Sequence, residues 1–282
     1  AKRPDREGLE VTGTEAFVTG DRTEVTFTGD VHLTVTDGLV VHTDTLIYSR
    51  AQGLARMHDD AGLTTLTRVG MEAEGRDVVF VNDRAIVTLD GAATVRLTGD
   101  DDREAVVIRS EHATLADADR YMRFEGAAEV LTGPMVLESE SATAYFGEEE
   151  TALERLLLQG GARLHANDPA AGGLREMAAS EMTLAFAATT RVLERATLAG
   201  ASTIELVGAG GERGARISAA TMEVTMADGG DVTALEAWDA VRLQLPVTPD
   251  GAQQEIQAGR MVPSGAPGAV MTAVRFERDV VF

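Results

Sequence analysis

One phrase recurs down the chain at spacings of 29 to 40 residues: a glycine, a short alternating strand, an apolar-x-Ser-x-x-apolar stretch and a further alternating run. A period of this length marks stacked units sharing one core, because a single unit cannot bury its own apolar face. The anchors are Gly29, Gly62, Gly91, Gly126, Gly160 and Gly200, with Ala240 in the equivalent place of a seventh, degenerate unit. They read as successive turns.

Lined up on these anchors, the strands that follow include Val31-His-Leu33-Thr-Val35, Ala93-Thr-Val95-Arg-Leu97, Ala128-Glu-Val130, Ser202-Thr-Ile204-Glu-Leu206 and Val241-Arg-Leu243. Second segments follow, such as Leu137-Glu-Ser139-Glu-Ser-Ala142 and Ser180-Glu-Met182-Thr-Leu184. Alternation with a period of two turns one face of each strand to a core and the other to water. Half-buried alternation of this kind belongs to antiparallel sheets, since a helix-covered parallel sheet would show near-continuous apolar runs separated by helical stretches. The segments 148–158 and 178–188 are the only ones that also fit a helix, and both fit strands in register with their neighbours. The chain therefore reads as all-β.

The repeat runs nearly from end to end without a linker, so residues 9–282 read as one stacked domain after a polar segment, 1–8. Its weakest joint, Ala166 to Gly173, has the turn formers of a surface loop.

A formal charge of -21 and a single lysine, Lys2, argue against binding nucleic acid, whose phosphates are met by clusters of Lys and Arg. The charge reads as a solvated outer face that keeps an edge-rich β protein soluble. With no cysteine, redox chemistry does not set the compartment. No apolar stretch reaches the ~18 residues of a membrane helix.

Catalytic patterns are missing, and the chain is not expected to be an enzyme. His32, His42, His58, His112 and His165 lie on polar strand phases or in turns, with no His-x-His and no HExxH, and each reads as an exposed strand residue. No metal site and no cofactor is expected. Gly208 to Gly214 lacks the ending of a phosphate loop and reads as a hairpin turn. The acidic runs His58-Asp59-Asp60 and Asp100-Asp-Asp102 match no calcium-loop spacing and read as hairpin tips. Paired carboxylates at Glu138/Glu140 and 148–150 have no partner pattern that would point to acid-base work.

The inside is the better candidate. Leu, Val, Ile and Met are joined by alanines at regular inward positions (Ala93, Ala113, Ala128, Ala142, Ala162, Ala219), and aromatics make up only 4% of the chain. Small side chains leave room between facing sheets, and unbranched methionines such as Met135, Met182, Met222 and Met226 can adapt to acyl chains. Two readings stand open: a slot for an apolar ligand, or a sandwich whose core packs on itself. A membrane-spanning barrel would need aromatic girdles that Trp238 and three tyrosines cannot supply.

The recurring Gly-x-Val-x-Leu strand followed by apolar-x-Ser/Thr-x-x-Ala/Leu-x-Tyr/Phe appears as Gly29-Asp-Val31-His-Leu33 with Val41-His-Thr43-Asp-Thr-Leu46-Ile-Tyr48, and again as Leu137-Glu-Ser139-Glu-Ser-Ala142-Thr-Ala144-Tyr145. Over roughly residues 9–282 this resembles the OstA-like superfamily of lipopolysaccharide-transport proteins: LptA, LptC and the periplasmic part of LptD. The chain departs from the usual LptA and LptC in its greater length and strong acidity.

The resemblance implies an elongated antiparallel β-jellyroll, an open V of two twisted sheets, here built from about seven repeats. It also implies a periplasmic role in which lipid A acyl chains lie in the groove and successive proteins join edge to edge toward the outer membrane. The groove positions would be Val31, Leu33, Val95, Leu97, Val130, Leu137, Leu164, Met182, Leu184, Ile204, Leu206, Met222, Val224, Met226 and Leu243. The partner edges would be Leu9 and Val11 at one end and Val280 and Phe282 at the other.

Implied partners are lipopolysaccharide or a related glycolipid, other OstA-like proteins and an inner-membrane transporter. Lys2-Arg3-Pro4 reads as a juxtamembrane remnant, which places an LptC-like protein first and an LptA-like bridge protein second. The alternative from another class is a structural β-repeat protein that assembles through its edges and binds no lipid.

Overall fold

The structure is a computed structural model that describes residues 9–20, 22–35, 38–60, 62–82, 84–99, 104–147, 152–167, 169, 173–187, 192–208, 211–227, 232–246, 254–264 and 273–282. Lys2-Arg3-Pro4, Asp100-Asp-Asp102 and 148–150 lie outside these residues.

Wherever the sequence alternates, the backbone is extended. Among the described residues there are nineteen strands and no helix: β1 (Leu9–Thr12), β2 (Glu15–Val18), β3 (Glu24–Val35), β4 (Val40–Ser49), β5 (Leu54–His58), β6 (Thr64–Arg68), β7 (Met71–Gly75), β8 (Asp77–Val81), β9 (Ile86–Leu97), β10 (Val106–Ala116), β11 (Tyr121–Thr132), β12 (Met135–Phe146), β13 (Leu153–Ala166), β14 (Leu174–Phe186), β15 (Leu193–Val207), β16 (Arg213–Met226), β17 (Val232–Gln244), β18 (Glu255–Ser264) and β19 (Ala273–Glu277). All pairings are antiparallel and join the strands into one sheet. Of the two segments that also fitted helices, 153–158 lie in β13 and 178–186 in β14.

The topology is a meander once the short strands are joined. β1 and β2 pair with opposite halves of β3, as β5 and β6 do with β4, and β7 and β8 with β9. Each such couple is one pass broken in the middle. The unbroken passes bend at the same level, where the register shifts.

These bends are where the repeat's glycines sit, which corrects their reading as turns. Gly29-Asp30, Gly91-Ala92, Gly126-Ala127, Gly160-Gly161 and Gly200-Ala201 are pairs of left-handed residues, with φ between 49° and 82°, inside β3, β9, β11, β13 and β15. In the seventh unit the pair is Asp239-Ala240, so Asp239, not Ala240, takes the glycine's place. Only Gly62 lies between strands, in the connection from β5 to β6.

The repeat's serine closes the bend on the neighbouring pass. Ser110 Oγ donates to the His112 carbonyl at 2.7 Å, and Ser139 Oγ donates to the Ser141 carbonyl at 2.8 Å. Because β5 and β6 do not pair with each other, Asp59 and Asp60 belong to a broken bend and not to a hairpin tip. The glycine-rich turn between β15 and β16 is the expected hairpin, with the Gly208 amide donating to the Glu212 carbonyl at 2.8 Å.

Bending folds the sheet over itself. On β11 the buried residues are Met122 and Phe124 before the bend and Ala128, Val130 and Thr132 after it. The two-residue insertion keeps the inward parity, so both halves face one core. One layer presents the ladder Leu89, Ala113, Phe124, Ala142, Leu158, Met182, Leu198, Met222, Ala237 and Met261, each the cross-strand partner of the next. The other presents Val95, Ile108, Val130, Leu137, Leu164, Met177, Ile204, Ile217 and Leu243 in the same manner. All of these side chains belong to a single apolar cluster.

Candidate functional site

The seam between the two layers is the largest apolar feature of the molecule. Of the residues expected to line a groove, Val31, Leu33, Val95, Leu97, Val130, Leu137, Leu164, Ile204 and Leu243 lie in one layer. Met182, Leu184, Met222, Val224 and Met226 lie in the other. All fourteen are buried, and Leu206 is half-buried near the end of β15. Along this length the seam is closed to solvent, and Ala113 and Ala142 are the cross-strand neighbours of Phe124 within one layer.

Among the described residues a pocket opens in the seam that none of those residues lines. This small pocket, of about 50 Å³ within its walls and about 620 Å³ with the open space at its mouth, lies at the layer margin remote from the bends, lined by Leu39, Leu66, Met71, Phe80, Ala85, Val87, Leu115, Met122 and Phe146. Leu66 and Met71 come from the layer of Val95, and Phe80, Leu115, Met122 and Phe146 from the layer of Phe124.

The rim is charged. Arg68, at the end of β6, donates through Nη1 to Asp117 Oδ1 at 2.8 Å, with side chains 13% and 28% exposed. The pair ties one layer to the other across the pocket's edge, and Arg120 stands exposed beside it. A guanidinium over an apolar cavity suits an amphiphile with an anionic head, because its planar fork matches phosphate or carboxylate oxygens. Sequence patterns missed this set. Arg68 and Asp117 are 49 positions apart, one closing β6 and the other just past the end of β10.

The histidines are better organised than isolated exposed residues would be. On the outer face His58, Asp77, Asp90 and His112 are successive cross-strand partners on β5, β8, β9 and β10. His58 Nδ1 lies 2.6 Å from Asp77 Oδ1, and His112 Nδ1 lies 2.7 Å from Asp90 Oδ1. The Asp77 hydrogen bond, against a smaller opposing effect of burial, raises the His58 pKa above its ordinary value.

A histidine bound more tightly as its cation stabilises the fold fully below the unfolded value of about 6.5, and that share is lost as pH rises through the higher folded-state value. Asp77→Asn is therefore expected to move the His58 titration down toward about 6.5 in a proton NMR pH series. An unchanged midpoint would show that the carboxylate does not hold the proton there. His32 and His42 also meet, across β3 and β4.

The expected edges lie at opposite ends of the meander. Leu9 and Val11 on β1 pack partly against the core, with the outer side of β1 unpaired among the described strands. At the other end, Arg278 and Asp279 form another left-handed pair, and the chain beyond crosses the bend. The Val281 amide and carbonyl pair with Gln257 at 2.9 and 2.8 Å. Val280, Val281 and Phe282 are all exposed, Phe282 by 81%. This segment is held to β18 by its backbone and exposes apolar side chains.

Among the described residues no helix is long and apolar enough to cross a membrane. No family model matches the chain, and no curated protein matches it in sequence. Among solved structures it is similar to LptH, the LptA homologous periplasmic component of the lipopolysaccharide transport device from Pseudomonas aeruginosa. The identity is 12%, the match covers 49% of this chain and 76% of that one, and the TM-score is 0.25. At that score and identity the likeness decides neither fold nor function.

Proposed function

We propose that the chain is a lipid-binding protein of lipopolysaccharide export that takes acyl chains between its two layers. They enter at the pocket lined by Leu66, Phe80, Leu115 and Phe146. The observation that carries this reading is the apolar inter-layer pocket with Arg68, Asp117 and Arg120 at its rim. Each methylene moved from water into such a site contributes about 0.8 kcal/mol. A lipid of several chains would thereby offset the cost of parting the layers and of breaking the Arg68–Asp117 pair.

The repeat's resemblance to the OstA-like superfamily supports lipopolysaccharide or a related glycolipid as the cargo and the periplasm as the compartment. An LptC-like role comes first and an LptA-like role second. In this reading the β1 edge and the outward side of Val280 to Phe282 meet other proteins of that kind, and one end meets an inner-membrane transporter. No cofactor or nucleic acid takes part, and the chain is not an enzyme.

The closed seam favours a second reading, a structural β-repeat protein that assembles through its edges and binds no lipid. Met182, Met222 and Val224 are wholly buried, as in a core packed for its own sake.

Site-specific photocrosslinking to purified lipopolysaccharide separates the two. Probes at Leu66, Phe80 and Leu115, then at Met182 and Val224, are expected to form adducts, whereas probes at outward Glu181 and Glu223 are not. Adducts at the first three alone would limit binding to the pocket. A folded protein with adducts at none of the five would leave the structural reading in place.

A further inference from the structure

We propose that Asp30, His32 and His42 form a binding site for a divalent transition-metal ion, with Zn²⁺ the best-suited probe, on the outer face of the first repeat. His32 and His42 are direct cross-strand partners on β3 and β4, and their rings stand 4.6 Å apart between centroids. Asp30 occupies the second left-handed position of the bend, two residues before His32, and its Oδ1 lies 2.8 Å from His42 Nε2 and 3.4 Å from His32 Nε2. The three ligand atoms all lie within 4.8 Å of one another.

These separations carry the assignment. Donor atoms held at the ~2.0–2.1 Å typical of Zn²⁺ to imidazole and carboxylate stand about 2.9–3.4 Å apart around an octahedral or tetrahedral ion. Two edges of the Asp30–His32–His42 triangle already have that length, so an ion can enter where the imidazole proton is now shared, with only the His32–His42 edge left to adjust. Two imidazoles and a carboxylate suit borderline ions rather than Mg²⁺ or Ca²⁺, which prefer oxygen. Thr12 and Thr65 are the next cross-strand partners of His32 and His42, and all three ligands are exposed, which leaves the remaining coordination positions to water.

The scaffold sets this repeat apart from the others. The residue in Asp30's bend position is Ala92, Ala127, Gly161, Ala201 or Ala240 in the other units, none of which can ligate. Two residues further on, where this unit has His32, they carry Thr94, Glu129, Arg163, Thr203 and Arg242. A bound ion would tie β3 to β4 one pass from the β1 and β2 edge, and so stiffen the end of the sheet.

Calorimetric titration with Zn²⁺ in excess Mg²⁺ tests the site, with Mg²⁺ occupying the many surface carboxylates. The intact protein is expected to take up one equivalent and to melt at a higher temperature with Zn²⁺ present. His42→Ala and Asp30→Asn should each weaken binding at least about tenfold, the loss that even a supporting residue commonly causes at a metal site. His32→Gln/His42→Gln should remove the saturable heat and the melting shift together, with the circular dichroism spectrum unchanged. Equal uptake by that double variant, or no saturable heat with the intact protein, would overturn the assignment. His58→Gln, which touches none of these groups, should bind as the intact protein does.

Discussion

Gly126→Ala is expected to lower the unfolding free energy by on the order of 3 kcal/mol, whereas Gly161→Ala, also at a left-handed bend position, should cost about 1 kcal/mol or less. Both residues have positive φ, 80° and 65°. They differ in what a methyl group would meet. At Gly126 a Cβ would fall 2.7 Å from the Glu111 Cβ and 2.8 Å from its Cγ, deep inside contact distance, while at Gly161 nothing lies within 4 Å.

Other units make the same distinction, although in the seventh Asp239 stands at Gly126's place. Alanine stands at Gly161's equivalent place as Ala92, Ala127, Ala201 and Ala240, so the backbone there tolerates a side chain. At Gly126's place the bend of one pass lies directly against the side chain at the bend of the pass before it: Gly91 meets Arg76, Gly160 meets Glu140 and Gly200 meets Ser180. Urea unfolding followed by circular dichroism gives both numbers. Equal losses at the two sites would show that left-handed strain alone, and not this close approach, selects glycine.

That spine of bends was legible as a repeat and misread as a set of turns, for a physical reason. Inserting two left-handed residues leaves the inward parity intact, so Met122 and Phe124 continue into Ala128 and Val130 without a slip of phase. A turn between strands and a bend within one leave the same trace of apolar alternation around a glycine. The actual reversals lie elsewhere, for instance at Gly38 and Gly133, in the turn-forming pairs Asp37-Gly38 and Gly133-Pro134.

Fold class and the inward face of each strand could be read because period-two alternation is local: the positions from Val31 to Leu243 named as inward are buried, apart from half-buried Met135 and Leu206. The pocket could not be read this way. Leu39, Arg68, Asp117 and Arg120 lie at or just beyond strand ends and meet only through the folding of the sheet, as do His32 and His42, ten residues apart. Spacing reports which face a residue takes, not which residue faces it.

Phe124→Ala is expected to cost about 3–5 kcal/mol, among the largest losses a single truncation gives. Phe124 is wholly buried on β11, and its cross-strand partners on both sides are alanines, Ala113 and Ala142. Neither neighbour has the length to fill the space the ring leaves. The rigid β ladder on each side limits collapse, so the cavity contribution adds nearly in full to the lost transfer energy. The substitution also measures whether the layers are closed in solution. A ring packed between two touching layers loses contacts on every side, whereas one lining an open, hydrated slot was never fully desolvated and loses much less. A loss near the top of the range would mean that acyl chains must part a packed seam, making the Leu66–Phe80–Leu115 pocket the point of entry. A loss below about 1 kcal/mol would mean that the layers stand apart in the free protein, as a groove open along its length requires. Denaturant unfolding of Phe124→Ala, with and without lipopolysaccharide, reads this directly: a bound acyl chain filling the vacated space should return part of the lost stability to the variant and add less to the intact protein.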